Sequence, residues 1–298
     1  MTAKKVITRI KGGLGNQLFC YAAARRLALV NNAELVIDNV TGFARDHTYR
    51  RQYALNHFNI PCRKATPAER MEPFEWYRRG LSKFIAKQKS FHERHYVEQE
   101  RIDFDARILD LKVHNTVYLD GLWQSEAYFK DQEAVIRQDL GIQAPQDTVN
   151  RQMADYIDSC NAIAVHVRWF NKSDKNNASH NVGEKYYQRA IKEIMERIAD
   201  PHFFVFSDFP DEARQILSLP KGMITCVDHN CEVENAFADL WLMTKCKHFI
   251  IANSTFSWWG AWLCGSNSKC ILSPKVTSLS GLQGWGFPGL IPNNWIVL

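Results

Sequence analysis

Asn253, Ser254 and Thr255 stand between an apolar run and a tryptophan-rich segment in residues 246–263, CKHFIIANSTFSWWGAWL. A strand that delivers small hydroxyls to a helix start brings side-chain donors together with unpaired backbone N–H groups, an arrangement suited to anions. The same residues also serve an ordinary buried helix as its cap. Company elsewhere in the chain decides between the two.

That company comes from three further places. Residues 4–10 alternate like a short strand, 11–17 (KGGLGNQ) form a glycine-rich turn, and 18–29 have a helical pattern. Gly13 and Gly15 let backbone approach a ligand, and Asn16 and Gln17 sit where the helix opens. The turn lacks the third glycine of the dinucleotide fingerprint and the Gly-Lys-Ser/Thr of a P-loop. In 162–171, AIAVHVRWFN, a buried strand carries His166 and Arg168 on one face at its carboxyl end. An arginine fork there matches phosphate oxygens. The strand 203–206 ends in the same way, in Ser207 and Asp208. Carboxyl ends of strands are where open α/β sheets bind ligands.

The blocks GGLGNQLFCYAAARRLA, GLWQSEAYF (121–129), HVR, FSD and DLWLMTKCKHFIIANSTFSWWGAWL occur in the order found in the α-1,2-fucosyltransferases of glycosyltransferase family eleven. The chain resembles that family from residue 12 to about residue 263. The resemblance implies an α/β, GT-B-like fold, two Rossmann-like parallel-sheet domains facing a cleft. It also implies GDP-fucose as donor, a terminal galactose as acceptor, inversion at the anomeric carbon, and neither metal nor other cofactor.

Charge builds on the leaving diphosphate in such a displacement, so fixed donors aimed there lower the barrier most. Under the resemblance Arg168 is the principal donor, assisted by Ser254, Thr255 and the following N–H groups. Asn16 bridges to the phosphate or to Arg168 from the facing domain. His166 and Asp208, with Ser207, hold the guanosine. Gly13, Gly15, Gln17, Asn253 and Phe256 complete the donor set. Asp239 joins it, although a helix-surface acid is ordinarily just solvated. No general base declares itself. Glu126 and Asp38 are the candidates, Glu126 alternatively bonding backbone and Asp38 alternatively terminating its strand.

Two departures bear on the acceptor. The family writes His-x-Arg-Arg-x-Asp where this chain has HVRWFN at 166–171, so Trp169 replaces an arginine and Asn171 an acid. Phe209-Pro210 stands where the family often has another acid after Phe-Ser-Asp. Trp169 is therefore expected to shape the acceptor pocket.

Two other function classes compete. Asp103-Phe104-Asp105 has the Asp-x-Asp form of metal-dependent glycosyltransferases using another nucleotide sugar. Nine tryptophans suit a non-catalytic sugar-binding protein, although tryptophan more often fills cores.

At 298 residues, 46% hydrophobic and 23% charged, the chain can bury two cores of ordinary size. No run reaches the about 18–20 apolar residues of a membrane span, and Arg9 and Lys11 interrupt any signal-like start. The expectation is a bacterial cytoplasmic protein. The net charge of +5 equals the surplus in 76–95, where Arg78, Arg79, Lys83, Lys87, Lys89 and Arg94 outweigh Glu93. Arg79, Lys83 and Lys87 share one helical face, and Leu81, Phe84, Ile85 and Phe91 lie toward the other. A solvated amphipathic helix is expected, with peripheral contact to the inner membrane through 76–95 as the alternative. The basic residues are too localised for a nucleic-acid partner. Eight cysteines without a CxxC pair read as reduced, mostly buried thiols. The sequons at Asn171, Asn177 and Asn253 carry no glycan in such a setting.

Period changes organise the chain. Elements at 4–10, 16–30 and 34–38 open an α/β domain over 1–148, the acceptor side under the resemblance, and 143–150 is a polar crossover. A second alternating series over 149–298 follows, which the resemblance makes the GDP-sugar-binding domain. Its strands are predicted at 162–167, 202–206, 223–227, 248–252 and 269–272, and its helices at 184–199, 211–218, 233–245 and 257–264. Residues 278–298 read as irregular chain.

Overall fold

The computed structural model describes residues 4–169, 181–280 and 283–298. Asn171 and the Asn177 sequon lie outside the described residues. Two compact units divide the chain, 1–141 with 279–290, and 142–278 with 291–298. The boundary between 141 and 142 falls ahead of both the expected end at 148 and the polar stretch 143–150. The assignment of all of 149–298 to one domain is corrected, because 279–290 packs with the first unit.

The first unit holds a five-stranded parallel sheet of β1 (Lys5–Arg9), β2 (Glu34–Asp38), β3 (Arg63–Lys64), β4 (Tyr96–Glu98) and β5 (Thr116–Asp120). Its order is β3-β2-β1-β5-β4. Helix α1 (Leu14–Val30) is apolar around most of its circumference, so it buries nearly every residue against the sheet and its neighbours. The helices α2 (Glu75–Lys87) and α3 (Glu133–Asp139) follow. Progress from β1 outward to β3 and then back to β4 and β5 makes the β1/β5 boundary a topological switch point, where ligand crevices form. The glycine turn follows β1, and the GLWQS block follows β5.

The second unit holds α4 (Thr148–Asp158), β6 (Asn161–Val167), α5 (Glu184–Arg197), β7 (Pro201–Ser207), α6 (Pro210–Leu217) and β8 (Ile224–Val227). After them come α7 (Ala236–Lys245), β9 (His248–Ile250), α8 (Thr255–Leu263) and β10 (Ile271–Ser273). Near the end, β11 (Ser278–Ser280) and β12 (Gln283–Trp285) form a two-stranded sheet. β13 (Ile296–Val297) joins the main sheet as an edge strand beside β10. The tail is therefore partly regular, a correction to the irregular chain expected from its Gly and Pro content. The six-stranded order is β13-β10-β9-β6-β7-β8, parallel throughout. Here the switch point lies between β6 and β9, whose ends carry Arg168 and the Asn253-Ser254-Thr255 turn. The strands are nearly continuous apolar runs, as sheets covered on both faces require.

Helix α2 overturns one expectation. Arg79 is buried, and Lys83 pairs with Glu98 and lies 3.6 Å from Asp120, whereas Leu81, Phe84 and Ile85 face water. Lys83 turns inward because the ends of β4 and β5 set two carboxylates beneath the helix, whereas Lys87 on the same stripe stays exposed.

Candidate active site

Arg168 and Asp208 meet because of strand register. Val167 lies opposite Ser207 in the β6–β7 ladder, so the next residue on each strand stands side by side, and the guanidinium and carboxylate form a salt bridge. Both remain partly open to solvent, with side chains 34% and 45% exposed.

His166, two residues earlier, is buried. Its Nδ1 lies 2.9 Å from Ser257 Oγ, and Ser257 Oγ donates to Ser254 O at 3.2 Å. The hydroxyl has one proton, so spending it on Ser254 makes Nδ1 the donor and leaves Nε2 as an acceptor. Burial, and then the charge of Arg168, push the His166 pKa down to about 3, so the ring is neutral at physiological pH. Ser257 was not singled out from the sequence, although it lies one helical turn past Ser254. Ser254 is the N-cap of α8, its Oγ accepting from Phe256 N at 3.3 Å. Thr255 opens the helix, Asn253 is buried just before it, and the Phe256 ring sits 5.6 Å from His166. Ser254 thus serves as an ordinary cap at the turn that joins β9 to α8.

Asp239 is not the solvated acid its helix position suggested. In the first turn of α7, its Oδ1 accepts from Asn230 Nδ2 at 2.9 Å, and Asn230 exchanges hydrogen bonds with Asn150. Burial raises its pKa to about 7, the Asn230 bond opposes the rise, and the charge of Asp208 adds to it. Ser207 Oγ accepts from Phe209 N at 3.1 Å and so closes the turn after β7. Trp169 is partly buried against the apolar core of this unit and meets Phe209 edge-on at 6.0 Å.

In the first unit, Gly12 has φ +78°, and a Cβ there would come within 2.9 Å of Asn16 Nδ2. Gly13 precedes the helix in extended conformation, and Gly15 is buried within α1. Asn16 Oδ1 accepts from Gln124 Nε2 at 2.8 Å, a bond that joins the two loops of the β1/β5 switch point. Gln124 was missed from sequence, because only the pairing of β1 with β5 brings GLWQS beside the glycine turn. Gln17 is consumed structurally. It donates to Gly12 O and Gln52 O at 2.9 and 2.8 Å and accepts from Ala54 N at 2.9 Å, fastening the loop beyond β2.

The two base candidates differ sharply. Asp38 is fully buried and accepts from the N–H groups of Val40 and Thr41 and from the hydroxyls of Thr41 and Tyr118. Of its two readings, termination of the strand is the one this geometry favours. Glu126 is partly exposed and accepts from Lys130 at 3.1 Å. A buried carboxylate absent from the sequence reading, Asp120, ends β5 and takes Lys11 at 2.8 Å, Arg9 at 3.4 Å and the Tyr96 hydroxyl at 2.6 Å. Burial alone would raise its pKa, but Lys11 and Arg9 hold it well below the usual carboxylate range.

Asp103 pairs with Arg101, and Asp105 pairs with Arg107 while capping a short helix. Among the described residues, no group of three or more His, Cys, Asp or Glu side chains converges as a metal-binding cluster. None of the described helices is long and apolar enough to cross a membrane.

Among curated relatives, the Escherichia coli alpha-1,2-colitosyltransferase is 29% identical over 285 residues, covering 90% of this chain and 91% of its own. The Escherichia coli O-antigen biosynthesis glycosyltransferase WbnK is 27% identical over 281 residues, covering 89% and 92%. Among solved structures, the fucosyltransferase NodZ from Bradyrhizobium superposes with a TM-score of 0.52 at 16% identity, covering 88% of this chain and 93% of its own. A variant of Arabidopsis thaliana FUT1 in complex with GDP superposes with a TM-score of 0.53 at 15% identity, covering 90% and 70%. These likenesses identify the GT-B fold. The model of glycosyl transferase family 11 matches residues 5–278, and the chain belongs to that family.

Proposed function

We propose that the protein transfers L-fucose from GDP-fucose to the 2-hydroxyl of a terminal galactoside, in glycan or lipid-linked glycan synthesis, with inversion and without a metal. The Arg168–Asp208 pair at neighbouring strand ends, one helix start away from the Ser254 cap, carries this reading. The acceptor oxygen forms its bond to the anomeric carbon as the bond to the β-phosphate oxygen breaks, and GDP departs with the electron pair. Arg168 meets the charge growing on that phosphate, and the N–H groups opening α8 add positive potential. Neutral His166 orders the α8 turn through Ser257 and keeps a second charge away from Arg168. Glu126 is the carboxylate retained for the acceptor proton, since Asp38 is enclosed.

A second reading has one specific support, the colitosyltransferase relative. Colitose is L-fucose lacking the 3-hydroxyl, so both sugars fit the same phosphate machinery and differ at one polar contact. Incubating purified protein with GDP-fucose or GDP-colitose and lactose, with and without EDTA, decides among these. GDP release with a new disaccharide from GDP-fucose supports the first reading. Turnover of GDP-colitose alone supports the second. Absence of turnover with GDP binding retained would favour a non-catalytic protein.

A further inference from the structure

On α2 and its entry, Phe74, Trp76, Tyr77, Leu81, Phe84 and Ile85 are all exposed, Phe74 by 77% and Tyr77 by 67%. Phe74 also sits at φ +65°, a strained conformation for a bulky residue, with its ring in water. A contiguous row of large apolar side chains on a water-facing helix marks an interaction surface rather than scatter. Aromatic residues of this kind favour interfaces that are apolar on one side and wet on the other.

Charge identifies the partner. Arg78, Lys87 and Lys89 flank the row, and none of them forms a salt bridge among the described residues. The Arg45 guanidinium adds a further cation, 5.2 Å from the Trp76 ring centre. Arg79 is buried beside Glu75 of the same helix, and Lys83 is spent on Glu98 and Asp120 underneath, so the charge that remains outward is positive and lies at the margin of the apolar row. A second copy of this helix would bring the same cations together across a two-fold axis. A bilayer with anionic headgroups instead offers phosphates to the cations and hydrocarbon to the rings. Ile85 and Lys89 also line an apolar cavity of about 560 Å³ between α2 and the sheet, which leaves room for an acyl chain beside the helix.

We propose that α2 lies in the plane of an anionic lipid surface, its aromatic row in the headgroup boundary and its cations on lipid phosphates. Co-sedimentation with phosphatidylethanolamine–phosphatidylglycerol vesicles, against phosphatidylcholine vesicles, tests this. The full chain should pellet with the anionic vesicles and detach as salt rises. Trp76→Ser with Phe84→Ser should weaken partitioning more than about tenfold at unchanged Tm, since both side chains are solvated. Lys87→Gln with Lys89→Gln should cost about fivefold per charge on anionic vesicles and little on phosphatidylcholine. Failure of the wild-type chain to pellet, or undiminished pelleting of the serine variant, would overturn the proposal. So would a wild-type dimer in vesicle-free size-exclusion that the serine variant turns into monomer, because the row would then serve a second copy.

Discussion

Arg168 and Asp208 are each other's partners, set side by side by the register of β6 and β7. A donor phosphate must therefore compete with Asp208 for the guanidinium, and an arginine held by a carboxylate is already oriented. Arg168→Ala is expected to lower transfer by roughly 10²–10⁴ with folding preserved. Arg168→Lys should restore little, because the fork is lost. Steady-state kinetics beside a thermal melt check this, and retention of more than about a tenth of wild-type turnover would remove Arg168 from the phosphate.

EDTA should leave turnover unchanged. Asp103 and Asp105 are already engaged by arginines, and in the proposed mechanism Arg168 supplies the positive potential a cation would otherwise provide. Loss of activity restored by Mn²⁺ or Mg²⁺ would transfer the role to a metal.

Stability should depend on pH through two groups with opposite slopes. His166 titrates near 3 when folded against 6.5 ordinarily, so its contribution is complete above about pH 6.5 and is lost as pH falls toward 3. Asp239 titrates near 7 against 3.8, so its contribution is complete below about pH 3.8 and is lost as pH rises through 7. Between about pH 4 and 6 the two offset each other. Asp239→Asn should expose a stability that rises with pH, and His166→Gln one that falls, each by up to about 1.4 kcal/mol per pH unit. Urea melts across that range give the slopes, and parallel curves for all three proteins would contradict the assignment.

Gln124→Leu should lower kcat about fivefold or more through a misplaced Asn16, with GDP affinity nearly unchanged. Gln124→Glu, which accepts where Gln124 donates, should turn the Asn16 amide over rather than restore it. Wild-type kinetics in the leucine variant would separate Gln124 from the chemistry.

Trp169→Arg should change acceptor KM or preference among β-galactosides while altering GDP affinity little. Because the ring packs against Phe209 and the core of its unit, a modest fall in Tm should accompany the change. GDP titration and an acceptor panel check this, and a large change in GDP affinity with an unaltered acceptor profile would put Trp169 on the donor side.

The strand ends were legible because parallel sheets write themselves as apolar runs stopped by polar residues. β2 and α1 fell where the pattern placed them, within two residues. The orientation of α2 was not legible. Its two stripes are both real, and only Glu98 and Asp120, distant in sequence, reveal which one faces the sheet. The Gln124–Asn16 bond was hidden for the same reason, since it depends on which strand lies next to β1. The enclosure of Asp38 required knowing that Tyr118 reaches it from β5.

The return of 279–290 to the first unit ties synthesis order to assembly. Ser125 Oγ donates to Gly289 O at 2.6 Å, and Trp285 and Leu290 are buried. A ribosome therefore cannot release a finished first unit before the second has emerged. The early β1–β5 sheet must wait, with part of its apolar surface uncovered, for residues made after 142–278 of the second unit. A nascent chain stalled before residue 279 should hold chaperones longer than its length alone would require, and a truncation meant to trim the second unit would damage the first.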